Sequence, residues 1–366
     1  MNDEQILANL ERHKATPHIS PQDYFTSLRD KLGSEIIGKH RIYLDTRYWV
    51  LLRDAMLGSP QRSSHTAILN QLRSLVRDGV AVCPISDAAH MEVMQQSDAR
   101  TRLATAELMD ELSCQTAITS ERDRIRSEFV DFLRPSGGDH FGIKDKVWVG
   151  VGFVLGENVP YAGGLDAATN FLFQKSAIDH MWQLSVSEFA KQGHDDKIAR
   201  TVAASAEVVN GRMVKYASEI RSFKQAFAAE VSGCVKLFDD RVAKMILPVH
   251  LRQLPQNKLE EYKAATRNLL FNVSTLRPNV AAMRMPTLYV YARCHAAIRW
   301  DKGRRVDGNW LLDIHHACAA AGYYDAMFTE TPLKVLLTSG HVALDKTYGI
   351  SILSREEEVI SHLRNF

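Results

Sequence analysis

Short apolar runs alternate with helix-like repeats at both ends of the chain. Near the start, RIYLD (residues 41–45) and VAVCPIS (residues 80–86) predict buried strands, because both are short and rich in β-branched or aromatic residues. Between them, residues 63–77 place apolar side chains three and four positions apart, which predicts an amphipathic helix. Near the end, DAMFT (residues 325–329) and YGISIL (residues 348–353) predict two more strands, each followed by a helical segment. This alternation is typical of an α/β domain with a parallel sheet.

The middle of the chain has a different pattern. A stretch rich in Pro and Gly, RPSGGDHFG, ends the first alternating region, and the chain from about residue 145 to residue 299 is mostly helical, with few convincing strands. Two strands make a poor sheet alone, whereas four make a reasonable one. We therefore predict an α/β fold whose parallel sheet of about four strands is built from both ends of the chain, across an inserted all-helical domain; three consecutive domains are the alternative. The predicted parts are an N-terminal helical segment (1–38), a discontinuous α/β domain (39–135 and 300–366) and the helical insertion (140–299).

Composition narrows the class of protein without identifying it. The chain has 366 residues, of which 45% are hydrophobic and 24% charged, as in an ordinary globular protein. Its five cysteines form no CxxC pair, which argues against a zinc ribbon or a disulfide framework and fits a reducing compartment. The polar N-terminus does not resemble a signal peptide, and no apolar stretch reaches the roughly 18 residues of a membrane span. We therefore expect a cytoplasmic protein that has no membrane partner.

Net charge is a weak guide to the partner, but its distribution is uneven. The formal net charge is only +2, whereas residues 211–270 carry eleven Lys or Arg against six Asp or Glu. Such a surplus suits a surface that binds nucleic acid, and it equally suits a solvated helical face.

Four acidic residues occupy comparable places in the predicted elements. Asp45 ends the first strand, Glu92 lies on the helix after the second, Asp313 opens a helix, and Glu330 follows the strand DAMFT. In an open parallel sheet, ligands bind beyond the carboxyl ends of the strands, so these carboxylates are expected to gather at one edge. Asp325 begins its strand and is expected at the far end. Each acid taken alone also suits a helix cap or a surface charge.

The segments around these acids resemble the PIN-like nuclease superfamily. LDTRYW resembles the strand end of that family, and LLDIHHACAAAGYYDAMFTE resembles its terminal segment, with a match over roughly residues 40–135 and 300–366. The resemblance implies that Asp45, Glu92, Asp313 and Glu330 are both the catalytic residues and the ligands of Mg²⁺ or Mn²⁺. Two departures are present: Arg47 stands where the family usually has Asn, and Glu330 where Asp is commoner.

The resemblance also implies an activity. It predicts hydrolysis of phosphodiester bonds in nucleic acid, with RNA as the expected substrate and with 5′-phosphate and 3′-hydroxyl products. Two alternatives stay open at this point: a catalytically silent nucleic-acid-binding or scaffold protein that keeps the fold, and a structure-specific DNA nuclease. A homodimer formed through the helical insertion is a further partner that the sequence leaves open.

Basic and aromatic residues near the predicted site are candidates for holding the nucleic acid. Fixed positive charge is needed to hold a phosphate backbone, although charged residues in loops are commonly just solvated. Aromatic residues can stack on bases, but the helical spacing of Tyr289, Tyr291 and Trp300 favours core packing. The nucleic-acid-binding candidates are Arg47, Arg100, Arg102, Arg304, Arg305 and His316.

Overall fold

The computed structural model of the protein describes residues 3–133, 143–193, 197–246, 255–301 and 305–366. The elements up to residue 150 are, in chain order, α1 (Asp3–Lys14), α2 (Pro21–Ile36), β1 (His40–Leu44), α3 (Thr46–Met56), α4 (Ser63–Arg77), β2 (Ala81–Val82), α5 (Asp87–Met94), α6 (Ala99–Ser113), β3 (Thr116–Ile118), α7 (Glu121–Leu133) and β4 (Trp148–Gly150). The later elements are α8 (Ala167–Trp182), α9 (Val186–Lys191), α10 (Lys197–Lys215), α11 (Phe223–Ile246), α12 (Gln256–Leu276), α13 (Pro278–Arg284), α14 (Pro286–Trp300), α15 (Gly308–Ala320), β5 (Ala326–Phe328), α16 (Thr331–Thr338), α17 (Leu344–Tyr348), β6 (Ser351–Leu353) and α18 (Glu356–Leu363).

The chain packs as two compact units, and each is discontinuous in sequence. The first unit consists of Met1–Ser120, Lys144–Asp195 and Glu356–Phe366, and the second of Glu121–Ile143 and Asp196–Arg355. Residues 140–299 therefore contribute to both units. The division into an N-terminal segment, a discontinuous α/β domain and a helical insertion stays a prediction.

Four strands form a parallel sheet in the order β2-β1-β5-β6, flanked by helices in a mostly helical fold. In the first unit, His40 pairs with Ala81, and in the second, Ala326 pairs with Ser351 and Phe328 with Leu353. The prediction of a mixed α/β fold with a four-stranded parallel sheet is therefore confirmed.

Strands β3 and β4 were not predicted from the sequence. They pair antiparallel, and a parallel bridge between Ile85 and Ala117 also links β3 to the segment after β2. Helix α6 ends in two residues with left-handed backbone, Cys114 (φ 50°) and Gln115 (φ 58°). Glycine or asparagine normally takes such positions, so this left-handed turn and the strand that follows it have no signature in the sequence. Three-residue strands are also too short to show a period of two.

In the first unit, β1 begins with exposed His40 and ends in three buried apolar residues. Ile42 and Tyr43 are fully buried, and the Tyr43 hydroxyl is 2.7 Å from the Ser86 hydroxyl, so its polar end has a partner. Helix α18 packs on α4, where Arg62 forms an ion pair with Glu356 at 3.1 Å. Residues at the two ends of the chain therefore share one core.

In the second unit, α14 packs against α7, α11 and α15. Buried Leu288, Val290 and Ala296 help to make α14 a core helix. The turn after α15 approaches α14 so closely that a Cβ on Gly322 would lie 2.4 Å from Pro286 Cβ. Within the described residues, no helix is both long and apolar enough to cross a membrane.

Candidate functional site

Asp45 directly follows β1 and is the N-cap of α3, one residue beyond the strand in which it was predicted to lie. Its Oδ1 accepts a hydrogen bond from the backbone N–H of Tyr48 at 3.1 Å, and the residue is only 5% exposed. Burial, reinforced by the charge of Asp45, raises the pKa of the Tyr48 phenol. A carboxylate in this position also interacts favourably with the N-terminus of the helix. The structure thus holds a buried acid at the carboxyl end of β1.

Glu92 lies next to this strand end through a side-chain contact. The hydroxyl of Thr46, the residue after Asp45, donates a hydrogen bond to Glu92 Oε2. Helix α5 carries Glu92 and is started by Ser86, whose hydroxyl accepts from the N–H of Ala89 at 3.1 Å. The predicted N-cap and the predicted helical position of Glu92 are both confirmed.

The second unit contains the other two predicted acids. Asp313 does not open its helix: Asp307 is the N-cap of α15 and accepts from Trp310 N–H at 3.0 Å, so Asp313 lies in the second turn and is half-buried. Glu330 follows β5 after Thr329, immediately precedes α16 and is exposed. Asp325 directly precedes β5, at the opposite end of that strand, as predicted.

An acid that the sequence reasoning missed is paired with a histidine in the second unit. His315 Nδ1 lies 2.7 Å from Glu121 Oε2. Burial alone raises the pKa of Glu121, but the charge and hydrogen bond of His315, with the charge of Arg124, outweigh it and leave this pKa below its ordinary value. Glu121 comes three residues after β3, and because β3 itself was not predicted, this acid had no strand end to mark it.

The basic candidates of the first unit have different environments. Arg47 is exposed on the first turn of α3, and its guanidinium makes no hydrogen bond or ion pair with the described part of the chain. Arg100 is exposed near the start of α6. Arg102 is 5% exposed and donates to the carbonyl oxygens of Gln96 (2.6 Å) and Ala190 (3.1 Å). Arg102 therefore stabilises the packing around α6 and is a poor candidate for binding phosphate.

The remaining candidates are in the second unit. Arg305 is exposed and pairs with Glu207 at 2.9 Å. His316 is 2% exposed, so its predicted role in contacting nucleic acid does not agree with its burial. Arg304 lies outside the described residues. The predicted core packing of Tyr289 is confirmed at 3% exposure, whereas Trp300 is 36% exposed.

The metal centre itself stays a prediction. Among the residues that the structure describes, no three His, Cys, Asp or Glu side chains form a group that could hold a metal ion. The carboxylate oxygens of Asp45 and Glu92 are nevertheless the kind of donor that Mg²⁺ and Mn²⁺ prefer.

Comparison of the chain with protein-family models, with curated proteins and with solved structures finds no match. The functional argument therefore rests on the residues of this chain.

Proposed function

We propose that this protein is a PIN-like, Mg²⁺- or Mn²⁺-dependent nuclease that hydrolyses phosphodiester bonds, with RNA as its substrate. The observation that carries the proposal is the buried carboxylate of Asp45 at the carboxyl end of β1. Removing an ionised carboxylate from water is costly unless a cation or hydrogen bonds compensate. Asp45 Oδ1 accepts from Tyr48 N–H, and carboxylate oxygens such as these are also the donors that Mg²⁺ and Mn²⁺ prefer.

The place of β1 in the sheet supports the same proposal. Strand β1 pairs in parallel with β2, the next strand along the chain. Ligands of open parallel sheets bind beyond the carboxyl ends of the strands. Asp45 is the first residue beyond that end, and Thr46 links it to Glu92.

The donor set fits a hard divalent cation. Asp45 and Glu92 would hold it in the first unit, and the proposal assigns Asp313 and Glu330 the same role in the second. When bound, the ion stabilises the charge that develops on the phosphate oxygens and makes water a better nucleophile. Arg47 and Arg100 supply exposed positive charge in the first unit, where they would hold the phosphate backbone.

Cleavage assays on Asp45→Asn and Glu92→Gln test the proposal. Purified protein is incubated with single-stranded RNA and, separately, with single- and double-stranded DNA, in Mn²⁺ or in EDTA. We expect RNA cleavage in Mn²⁺, none in EDTA, and a loss of at least about 100-fold for either variant, since removing one charge-stabilising group typically costs that much. The matched control is Asp166→Asn, because Asp166 is also a helix N-cap of the first unit but is exposed.

Three outcomes would contradict the proposal. Full Mn²⁺-dependent activity in Asp45→Asn rules out this carboxylate as a ligand. Cleavage of DNA alone supports a DNA nuclease instead. Salt-sensitive RNA binding without cleavage in either metal supports a silent binding protein that has kept the fold.

A further inference from the structure

A cavity in the second unit lies beside one of the proposed metal ligands. It has a volume of about 490 Å³ and is bounded by the end of α14, the first two turns of α16 and the turn that follows. Ligand pockets in proteins span roughly 300–1,000 Å³, so a single base with its sugar fits this space. The residues that line it include Trp300, Asp301, Thr331, Pro332, Val335 and His341.

One wall of the cavity is an aromatic ring that the core does not cover. Trp300 is 36% exposed, whereas Trp49 and Trp148 are each 1% exposed. Val335 of α16, which also lines the cavity, is 62% exposed. An indole ring at the mouth of an apolar cavity offers a face on which a planar ring can stack.

The polar groups of the cavity are not equivalent. Asp301 is exposed, and its carboxylate makes no hydrogen bond or ion pair within the described residues. Two hydroxyls are already engaged, since Ser339 donates to Leu336 O at 2.8 Å and Thr331 to Ser354 Oγ at 3.3 Å. His341 is held by stacking on Phe223, with ring centroids 4.8 Å apart. The carboxylate next to Trp300 is thus the group best placed to bind a ligand that donates hydrogen bonds.

We propose that this cavity binds a guanine base of single-stranded RNA, stacked on Trp300 and hydrogen-bonded to Asp301. Guanine presents two parallel donors, N1–H and the N2 amino group, and a carboxylate accepts two such bonds at once. Adenine presents an acceptor, N1, at the corresponding place, so the carboxylate repels it. Uracil and cytosine each present a single donor group on that edge and also stack less well.

The position of the cavity links it to the proposed nuclease site, on which this assignment of substrate rests. Thr331 lines the cavity and directly follows Glu330 in the chain. A strand whose phosphate approaches Glu330 therefore brings a neighbouring base to Trp300. The cavity would select which phosphodiester is presented for cleavage.

Titration of the protein with GMP, AMP, UMP and CMP in EDTA tests the binding step without any cleavage. Intrinsic tryptophan fluorescence is the readout, because stacking on an indole ring quenches it. We expect saturable quenching with GMP at a concentration about tenfold or more lower than with AMP, since hydrogen bonds to charged groups are worth that factor or more. A short oligonucleotide with one G should bind more tightly than the same oligonucleotide with A.

Variants separate the two contacts. Trp300→Ala should weaken GMP binding by about five- to 150-fold, because replacing an aromatic residue that stacks on a base by alanine typically costs about 1–3 kcal/mol. Trp300→Phe should lose the quenching but keep most of the affinity, which isothermal titration calorimetry measures in both Trp300 variants because the reporting indole is absent. Asp301→Asn should lose the preference for guanine and leave stacking intact. The control is Trp310→Phe, which removes another half-buried indole of the second unit and should change neither affinity nor preference.

The proposal is overturned if millimolar GMP causes no quenching, or if Asp301→Asn and Trp300→Ala bind all four nucleotides as the original protein does. It is also overturned if the protein sediments as a dimer that Val335→Asp dissociates, since the cavity would then be an interface between copies. Guanine binding in a protein that cleaves nothing would refute the nuclease and keep the cavity. Unchanged cleavage in Trp300→Ala would refute the role of the cavity in selecting the cleavage site and keep the nuclease.

Discussion

The carboxylate of Glu128, on α7, accepts a hydrogen bond from the backbone N–H of Thr287 at 2.8 Å, in the first turn of α14. Glu128 is fully buried, and the Tyr323 hydroxyl also donates to it. An acid from one helix therefore satisfies the otherwise unpaired amides at the start of another. Burial, only partly offset by these hydrogen bonds, raises the pKa of Glu128 to about 7.

This raised pKa predicts that the second unit loses stability as pH rises. The unfolded chain releases the Glu128 proton near pH 4.5, whereas the folded protein holds it to about pH 7. The contribution is fully present below the unfolded pKa and is lost as pH rises through the folded one. The loss is on the order of 3 kcal/mol by pH 8, since one pKa unit corresponds to about 1.4 kcal/mol.

Urea denaturation between pH 4 and pH 8 measures this effect. The fall in unfolding free energy should be clearly smaller in Glu128→Gln, which cannot ionise. Glu207→Gln, an exposed acid of the same unit, should follow the original protein. If the unfolding free energy falls equally in Glu128→Gln and in the original protein between pH 4 and pH 8, the pKa of Glu128 is not raised in the folded protein.

Two substitutions at Asp45 should separate its capping role from its charge. Asn is as good an N-cap as Asp, so Asp45→Asn should keep the unfolding free energy within about 0.5 kcal/mol or raise it slightly. Asp45→Ala removes the acceptor for Tyr48 N–H and should cost about 1 kcal/mol or more. Equal destabilisation by both variants, measured by urea denaturation, would indicate that the charge itself stabilises the fold.

Gly152 and Gly211 should respond in opposite ways to the same added methyl group. A Cβ on Gly152 would lie 1.9 Å from the carbonyl oxygen of Met181, so Gly152→Ala must shift the backbone of α8 and should destabilise by roughly 1–3 kcal/mol. A Cβ on Gly211 meets nothing within 4 Å. Gly211→Ala, inside α10, should stabilise by about 0.5–1 kcal/mol. Thermal melts of both variants check the prediction, and a destabilised Gly211→Ala would contradict it.

Asp179 joins α1 to the rest of the first unit. It accepts hydrogen bonds from Arg12 at 2.9 Å and from Tyr24 at 2.5 Å, and it lies 2.7 Å from His13 Nε2. Because His13 is 1% exposed, Asp179→Ala would leave a buried ring nitrogen without its partner, at a cost of about 1–3 kcal/mol.

Hydrogen exchange shows where that cost falls. Amides of α1 (Asp3–Lys14) should lose protection in Asp179→Ala, while those of α4 should not. Asp110→Ala, which removes a carboxylate bonded to Val186 N–H at 2.7 Å, is the control within the same unit. Unchanged protection of α1 would mean that apolar packing alone holds that helix.

The comparison of Asp307 with Asp313 shows what the sequence can and cannot predict. Periodicity located the helix, but Asp313 directly precedes an apolar residue whereas Asp307 precedes Gly and Asn, and only the backbone shows that Asp307 accepts from Trp310 N–H. Strands β1, β5 and β6 were predictable because each is a distinct apolar run between turns. Strand β3 was not predictable, since it starts only after Cys114 and Gln115 have adopted a left-handed backbone conformation.

The candidate site shows the same limit. Positions at strand ends identified Asp45 and Glu330, which depend only on local elements. The burial of Arg102 and His316, and the pairing of His315 with Glu121, depend on tertiary contacts between residues up to 194 positions apart. A single sequence carries no signal for such distant neighbours.

The order in which the chain leaves the ribosome has a consequence for the first unit. Helix α18 packs on α4 and supplies Glu356, whose carboxylate accepts a hydrogen bond from Arg62 at 3.1 Å and lies 3.4 Å from His65 Nε2. All of residues 121–355 are synthesised between α4 and α18. Helix α4, whose Ile68, Leu69 and Leu72 are buried in the folded protein, therefore lacks its contact with α18 through most of translation, and a chain stopped before residue 356 should be a target for chaperones and proteases.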